Sequence, residues 1–287
     1  MNSVIGIAGL GLIGGSLAKA IKAKTSLQVF GFDIREEVLA AAIGEKVIDG
    51  ELTDIRLAEC DIIVLALFPG EAVSYCTNNM TYMRSGAIVV DCAGVKTRIC
   101  EELTKASDDY GILFVGGHPM AGVERSGYES SFAELFDGAT MILCKTEETD
   151  SSALEDLSAL FSAVGFGRIN ITTAREHDEV IAYTSQLAHL ISSAYIKSET
   201  AEKRHGFSAG SFKDLSRVAK LDEEMWAELF FENRENLLEE TNAFLARVQK
   251  YRDSLKHGDV PAMKELLRTG TEKKKQDEEK EQEWLKK

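Results

Sequence analysis

The stretch Ser3-Val-Ile-Gly-Ile-Ala8, followed by Gly9-Leu-Gly-Leu-Ile-Gly-Gly-Ser16, restricts this chain more than any other. A short apolar run of strand character leads into G-x-G-x-x-G, after which Leu17, Ala18 and Ile21 recur at helical spacing. Gly9 permits the tight turn, Gly11 lets backbone approach a pyrophosphate, and Gly14 lets the helix pack on the strand. The helix start aims free N–H groups and a positive dipole end at the same place. A second strand, Gln28-Val-Phe-Gly-Phe-Asp33, ends in an acid nineteen residues after Gly14, near the spacing at which a carboxylate holds ribose hydroxyls. Asp33 repels a 2′-phosphate, which favours NAD over NADP. Arg35 lies two residues on and reads either as a solvated surface charge or as a receiver for that phosphate.

Further on, the α/β alternation continues. A helix is expected around residues 35–43, and Cys60-Asp-Ile-Ile-Val-Leu-Ala-Leu-Phe-Pro69, Gly86-Ala-Ile-Val-Val-Asp91 and Ile112-Leu-Phe-Val115 read as buried strands. Such near-continuous apolar runs suit a parallel sheet covered on both faces. Ala139–Cys144 adds a strand, Leu154–Val164 a helix and Arg168–Thr172 a last short strand. Ligands in open α/β sheets collect beyond the carboxyl ends of the strands. The loops Ala66 to Gly70, Asp91 to Lys96 and Gly116 to Gly127 are therefore expected to line one crevice. The cofactor set is Gly9, Gly11, Leu12, Ile13, Gly14, Asp33, Arg35, Ala66, Leu67 and Pro69.

After Thr173 the period changes to that of helices. Val180, Ile181, Thr184, Leu187, Ala188, Ile191, Ala194 and Tyr195 form one apolar stripe; Trp226, Leu229, Phe230, Leu237, Leu238, Thr241, Phe244, Leu245 and Val248 form another. The expected organisation is an α/β dinucleotide-binding domain over residues 1–173 and an all-α helical domain over 174–287. A face this wide must be buried, either in a self-contained bundle or across the interface of a homodimer. Thr269 to Lys287 is almost all charge and reads as a solvated terminal helix.

A net charge of −14 over 287 residues disfavours a nucleic-acid surface. No apolar run approaches the length of about 18 residues that spans a bilayer, and the start lacks the features of a secretion signal. A cytoplasmic protein is expected. The five cysteines form no C-x-x-C pair, and no His, Asp and Glu set has metal-ligand spacing.

Val115-Gly-Gly-His-Pro-Met-Ala-Gly-Val-Glu-Arg-Ser-Gly127 places a lone histidine between glycines after a strand. Read locally, it is either a reaction centre or a tight turn with a hydrogen-bonded histidine. The wider context bears on the choice. With Gly9 to Gly14, then Gly117-His-Pro-Met-Ala-Gly122, Thr184-Ser-Gln-Leu-Ala-His189 and Phe212-Lys-Asp-Leu-Ser-Arg-Val-Ala219 before Met225-Trp226, the chain resembles the prephenate/arogenate dehydrogenase family of tyrosine biosynthesis. The resemblance implies a Rossmann-like domain followed by a helical dimerisation domain, and NAD-dependent oxidative decarboxylation of prephenate, with arogenate as the alternative substrate. It implies His118 as catalytic base, Arg217 as the grip on a substrate carboxylate, and His189 and Gly94 beside the substrate. Glu124, with Arg125 just after the His118 loop, reads either as closing the pocket or as surface charge, and Arg217 alternatively as a helix-surface ion pair with Asp214. His189 could equally be a core residue bonded to the hydroxyl or carbonyl of Ser185. Two departures stand out: Gly94 occupies a place where many relatives carry serine, and Gln186 and Ala188 stand where histidine and proline are frequent. His177, His205 and His257 match no motif and read as surface or helix residues. A β-hydroxyacid-type dehydrogenase would look for a lysine on the first long helix of the second half, and none lies between Ala174 and Ile196. A sensor that binds nucleotide without turnover is the remaining alternative.

Overall fold

The computed structural model describes residues 3–123, 125–207 and 209–285. Its elements begin with β1 (Val4–Ala8), α1 (Leu12–Lys24), β2 (Gln28–Phe32), α2 (Glu36–Gly44), β3 (Gly50–Glu51), α3 (Asp54–Leu57) and β4 (Ile62–Leu65). Next come α4 (Pro69–Asn79), β5 (Ile88–Asp91), α5 (Thr97–Asp108), β6 (Leu113–Met120), β7 (Thr140–Cys144), α6 (Ser151–Ala163) and β8 (Arg168–Thr172). Among the described residues only helices follow: α7 (Ala174–Ile181), a π-helical segment over Ala182–Leu187, α8 (Ala188–Ile196), α9 (Gly210–Ser216), α10 (Glu223–Glu232), α11 (Arg234–His257) and α12 (Val260–Leu285). One compact unit runs to Arg234 and carries the sheet and the helices through α10; Glu235 onward forms a second.

The eight strands make one sheet in the order β3-β2-β1-β4-β5-β6-β7-β8. Strand side chains alternate between faces, so Ile62 and Val64 join an apolar cluster with Leu17 and Ile21 of α1 and Leu157 and Phe161 of α6. Ile63 and Leu65 join the opposite cluster with Ala72 and Cys76 of α4 and Ile99 and Leu103 of α5. Both faces are covered, which is why these strands read as unbroken apolar runs rather than alternating ones.

The sheet is not wholly parallel. β6 pairs in parallel with β5 over Leu113–Val115, then continues to Met120 as a strand paired antiparallel with β7, so that His118 lies opposite Ile142. Half of the expected Gly116–Gly127 loop is therefore strand. The glycines serve close approach instead of turning: a Cβ on Gly117 would lie 2.3 Å from the Asp91 carbonyl oxygen, and one on Gly116 would lie 2.5 Å from Cys100 Sγ. Pro119, which cannot donate to a ladder, sits where β6 no longer has β5 beside it.

Where β5 ends, a fully buried ion pair joins Lys96 Nζ to Asp91 Oδ2. The Asp91 carboxylate also accepts from the N–H of Ala93 at 2.9 Å and of Gly117 at 3.0 Å, so it fixes both the β5 loop and the crossing of β6. Burial opposes the Lys96 charge, but Asp91 outweighs it and holds the lysine above its ordinary pKa. Replacing one member of a buried pair strands the other charge, at a cost of about 3–5 kcal/mol. Lys96→Met is expected to lose that much in urea unfolding, and Asp91→Asn combined with Lys96→Met to recover part of it. A loss below about 1 kcal/mol for the single variant, the size expected of a surface pair, would show the pair to be dispensable.

Candidate active site

The turn between β1 and α1 has the shape its glycines foretell. Gly9 adopts φ +89°, and a Cβ there would lie 2.4 Å from the Ala66 carbonyl oxygen. A Cβ on Gly14 would lie 1.8 Å from the Gly9 carbonyl oxygen, whereas one on Gly11 would meet nothing within 4 Å. Thus Gly9 and Gly14 are packed and Gly11 borders open space. Helix α1 starts at Leu12 and Ile13 with no side-chain cap and no acid in its first turn, leaving its N–H groups free for an anion. Asp33 Oδ2 accepts from the Leu10 N–H at 2.9 Å and so braces this turn; Oδ1 pairs with Arg35 at 3.2 Å. Arg35 is therefore neither an isolated surface charge nor turned away from the turn's own acid. Ala66, Leu67 and Pro69 lie just past β4, next to β1, with Pro69 opening α4.

His118 is partly buried in β6, and its ring is held from behind. Its Nδ1 lies 2.8 Å from His177 Nε2, and His177 Nδ1 lies 2.7 Å from Asp178 Oδ1. Of the two readings of His177, surface or helix, the second holds: it lies on α7, and its side chain is fully buried. The capping pair Thr173 and Glu176 starts α7, with Thr173 Oγ1 accepting from the Glu176 N–H at 3.2 Å, and this aims His177 inward beside Ile181. That pair was the legible signal; the partner across the sheet was not. Asp178 in turn accepts from the N–H of Lys96 at 2.8 Å and of Thr97 at 2.7 Å, which ties α7 to the start of α5. Burial pushes the His118 pKa well below 6.5, with His177 and Lys96 adding to the fall.

Gly94 stands beside the free side of that ring. A Cβ built on it would lie 3.9 Å from His118 Nε2 and 3.5 Å from Leu229 Cδ2 of α10. On the same helix, one turn earlier, Trp226 stacks on His189 with ring centroids 4.1 Å apart. His189 Nδ1 donates to the Ser185 carbonyl at 2.8 Å. Burial lowers its pKa, opposed by that bond and assisted by the nearby Arg217 charge, so the ring is neutral with Nε2 as an acceptor. Arg217 caps the end of α9 and is exposed. Leu229 and Trp226 thus bridge the His118 side of the site to the His189 and Arg217 side. Gln186 does not line this space: it is buried, donates to the Leu229 carbonyl at 2.8 Å and accepts from Asn233 at 2.8 Å. The departure from histidine at 186 therefore serves helix packing. Glu124 lies outside the described residues. Among the described residues no group could hold a metal ion, and no helix is long and apolar enough to cross a membrane.

A glycine turn at the head of a Rossmann-like sheet, with a histidine on another strand of the same sheet and a helical segment beside it, is the layout of a two-part dinucleotide-dependent oxidoreductase. The comparisons give the family. Residues 17–170 match the family model for the prephenate dehydrogenase nucleotide-binding domain, and residues 173–269 match that for the prephenate dehydrogenase dimerization domain. The chain is 32% identical over 265 residues to the cyclohexadienyl dehydrogenase of Zymomonas mobilis, covering 88% of each. It is 30% identical to the prephenate dehydrogenase of Lactococcus lactis, covering 92% of this chain and 74% of that one. A prephenate dehydrogenase from A. aeolicus, solved in complex with hydroxyphenyl propionate and NAD+, superposes with a TM-score of 0.81 at 26% identity, over 95% of this chain and 98% of that one. The chain belongs to the prephenate dehydrogenase family.

The depressed His118 pKa has a thermodynamic consequence. As pH falls through 6.5 the unfolded chain takes up a proton that the folded chain refuses. Stability from this group is thus complete above pH 6.5 and is lost as pH falls toward the folded pKa. The expected slope is up to about 1.4 kcal/mol per pH unit, which His118→Asn should remove. Urea midpoints between pH 7.5 and 5 test it, and equal slopes for both proteins would refute the assignment.

Proposed function

We propose that this chain oxidises prephenate with NAD, releasing carbon dioxide and leaving 4-hydroxyphenylpyruvate for tyrosine synthesis. The observation that carries this proposal is His118, held through Nδ1 with Nε2 beside the open space at Gly94. NAD, when bound, supplies the hydride acceptor. The residues fit it: the uncapped start of α1 at Gly11, Leu12 and Ile13 suits a pyrophosphate, and Asp33 and the 88% exposed Ile34 suit a ribose and an apolar base face. Ala66, Leu67 and Pro69 complete that wall, and the acid at Asp33, already paired with Arg35, favours NAD over NADP.

The chain's own tasks are to hold the substrate and take its hydroxyl proton. His118 Nε2 is the proton acceptor, its low pKa keeping it unprotonated at neutral pH. Arg217 grips a substrate carboxylate with its two-pronged guanidinium, and His189, flattened on Trp226, flanks the substrate side chain. Glu124 is proposed to close the pocket from the stretch after β6. Arogenate is the second substrate, favoured by one observation: with its proton committed to Ser185, His189 offers an acceptor, which suits an ammonium better than a keto group.

The division of labour falls at residue 173, a sheet domain for NAD before it and helices for substrate and assembly after it. Pairing into a homodimer is supported by the dimerization-domain match and by α11, where Leu238, Leu245, Val248 and Leu255 remain exposed in the single chain. A cytoplasmic location is supported by five cysteines that are all free.

The test follows NADH formation with NAD and either prephenate or arogenate, side by side. No turnover of either by folded protein would sink the proposal. His118→Asn should keep NAD affinity and lose about 10²- to 10⁴-fold in rate. Arg217→Ala should raise KM by about 10- to 100-fold, the loss of one charged hydrogen-bond pair; an unchanged KM would remove it from the substrate site.

A further inference from the structure

An imidazole has no fixed tautomer of its own, and its hydrogen bonds must decide which nitrogen carries the proton. At His118 the decision starts from the Asp178 carboxylate. Both its oxygens accept backbone N–H groups, from Lys96 at 2.8 Å and Thr97 at 2.7 Å, and its burial is outweighed by these bonds and that from His177, so it stays ionised. A carboxylate only accepts. His177 Nδ1, 2.7 Å away, must therefore carry a proton, and in the singly protonated ring this leaves a lone pair on Nε2. That lone pair lies 2.8 Å from His118 Nδ1 and can only accept from it.

We propose that His177 and Asp178 are positioning residues, a buried carboxylate–imidazole relay that fixes His118 as its Nδ1–H tautomer and keeps Nε2 bare for the substrate hydroxyl. The inference rests on His118 as the base. When the substrate O–H proton passes to Nε2, the Nδ1–H stays on His118 and remains donated to His177, so no second proton has to leave the site. The positive charge that develops then faces an acceptor backed by an anion, as in other histidine sites where a buried acid orients the ring. The relay also answers the missing hydroxyl at Gly94: the ring is held at Nδ1, and the Nε2 side stays open.

The surroundings leave few other groups for this role. The β5 loop contributes the Lys96–Asp91 pair, already closed on itself, and α7 contributes His177 and Asp178. β7 faces the strand with Ile142 and α10 reaches the Gly94 space with Leu229, both apolar. Asn233 anchors the relay from behind, donating to the Asp178 carbonyl at 2.8 Å and to Gln186 at 2.8 Å.

The first experiment needs no variant: 15N spectra of the imidazoles in the intact protein at neutral pH. Protonated Nδ1 and bare Nε2 are expected on both His118 and His177; a proton on His118 Nε2 overturns the proposal whether or not the enzyme turns over prephenate. In the second, His177→Phe is expected to lose on the order of 10²-fold in kcat with KM and NAD affinity near wild type. Its acid limb should shift away from the wild-type position, because the group that faces His118 Nδ1 has been replaced. His177→Gln, whose amide oxygen can stand in for Nε2, should restore part of the rate. An unchanged kcat and acid limb in a folded His177→Phe protein, or no recovery with glutamine, would overturn it. Should the phenylalanine variant fail to fold, the 15N spectra and the glutamine variant still decide. Wild-type protein silent with both substrates would instead count against the base role on which the relay rests.

Discussion

The carboxylate of Asp178 holds three donors, and the site is assembled around it. Two are backbone N–H groups at the start of α5 and the third is His177, so one side chain of α7 joins the sheet to the helices and, through His177, reaches His118. The side chain is nearly inaccessible to water. In such surroundings an unsatisfied acceptor is costly and a satisfied one is rigid. The same rule governs Asp91, which spends its oxygens on Lys96, Ala93 and Gly117. Two buried carboxylates thus set the β5 loop from opposite sides, and the loop carries Gly94 to within reach of His118.

Precision of this kind depends on how closely backbones approach. β6 can cross the end of β5 only because Gly117 has no Cβ to strike the Asp91 carbonyl, and α1 can sit on β1 only because Gly14 has none to strike Gly9. The first glycine lets β6 bring His118 past the end of β5, and the second shapes the turn between β1 and α1. A third, Gly94, brings backbone rather than a side chain to the space between Leu229 and His118 Nε2, where a Cβ would lie 3.5 Å from the one and 3.9 Å from the other. The helical segment supplies the other wall through Trp226 and Leu229, with the π-helical stretch turning Gln186 inward to bind the α10 backbone and leaving His189 toward Trp226.

Much of this was legible in the residue order. The glycine turn, the acid at Asp33, β8 over Arg168–Thr172 and the change of period at Thr173 rest on local rules, and the structure follows them. Errors arose where a local pattern served a distant partner. The Gly116-Gly117 pair reads either as a turn or as room for a close approach, and the groups that come close, Asp91 and Cys100, lie far away in sequence. His177 sits fifty-nine positions from His118 and matches no motif, so only the packing of α7 against β6 reveals the bond between them. Gln186 similarly reads as a lost imidazole until its partners on α10 are seen.

Residue order alone settles that a glycine turn of the dinucleotide type opens a covered sheet, that a helical segment follows, and that His118 stands between them among glycines. Those features depend on dihedral preferences and on hydrophobic period, which act between near neighbours in the chain. It took the folded arrangement to show that β6 reverses its pairing to present His118, that Lys96 is a buried structural cation, and that His177 and Asp178 stand behind His118. These depend on which polar groups meet once water is excluded, and a buried polar group must find its partner wherever the fold has put it.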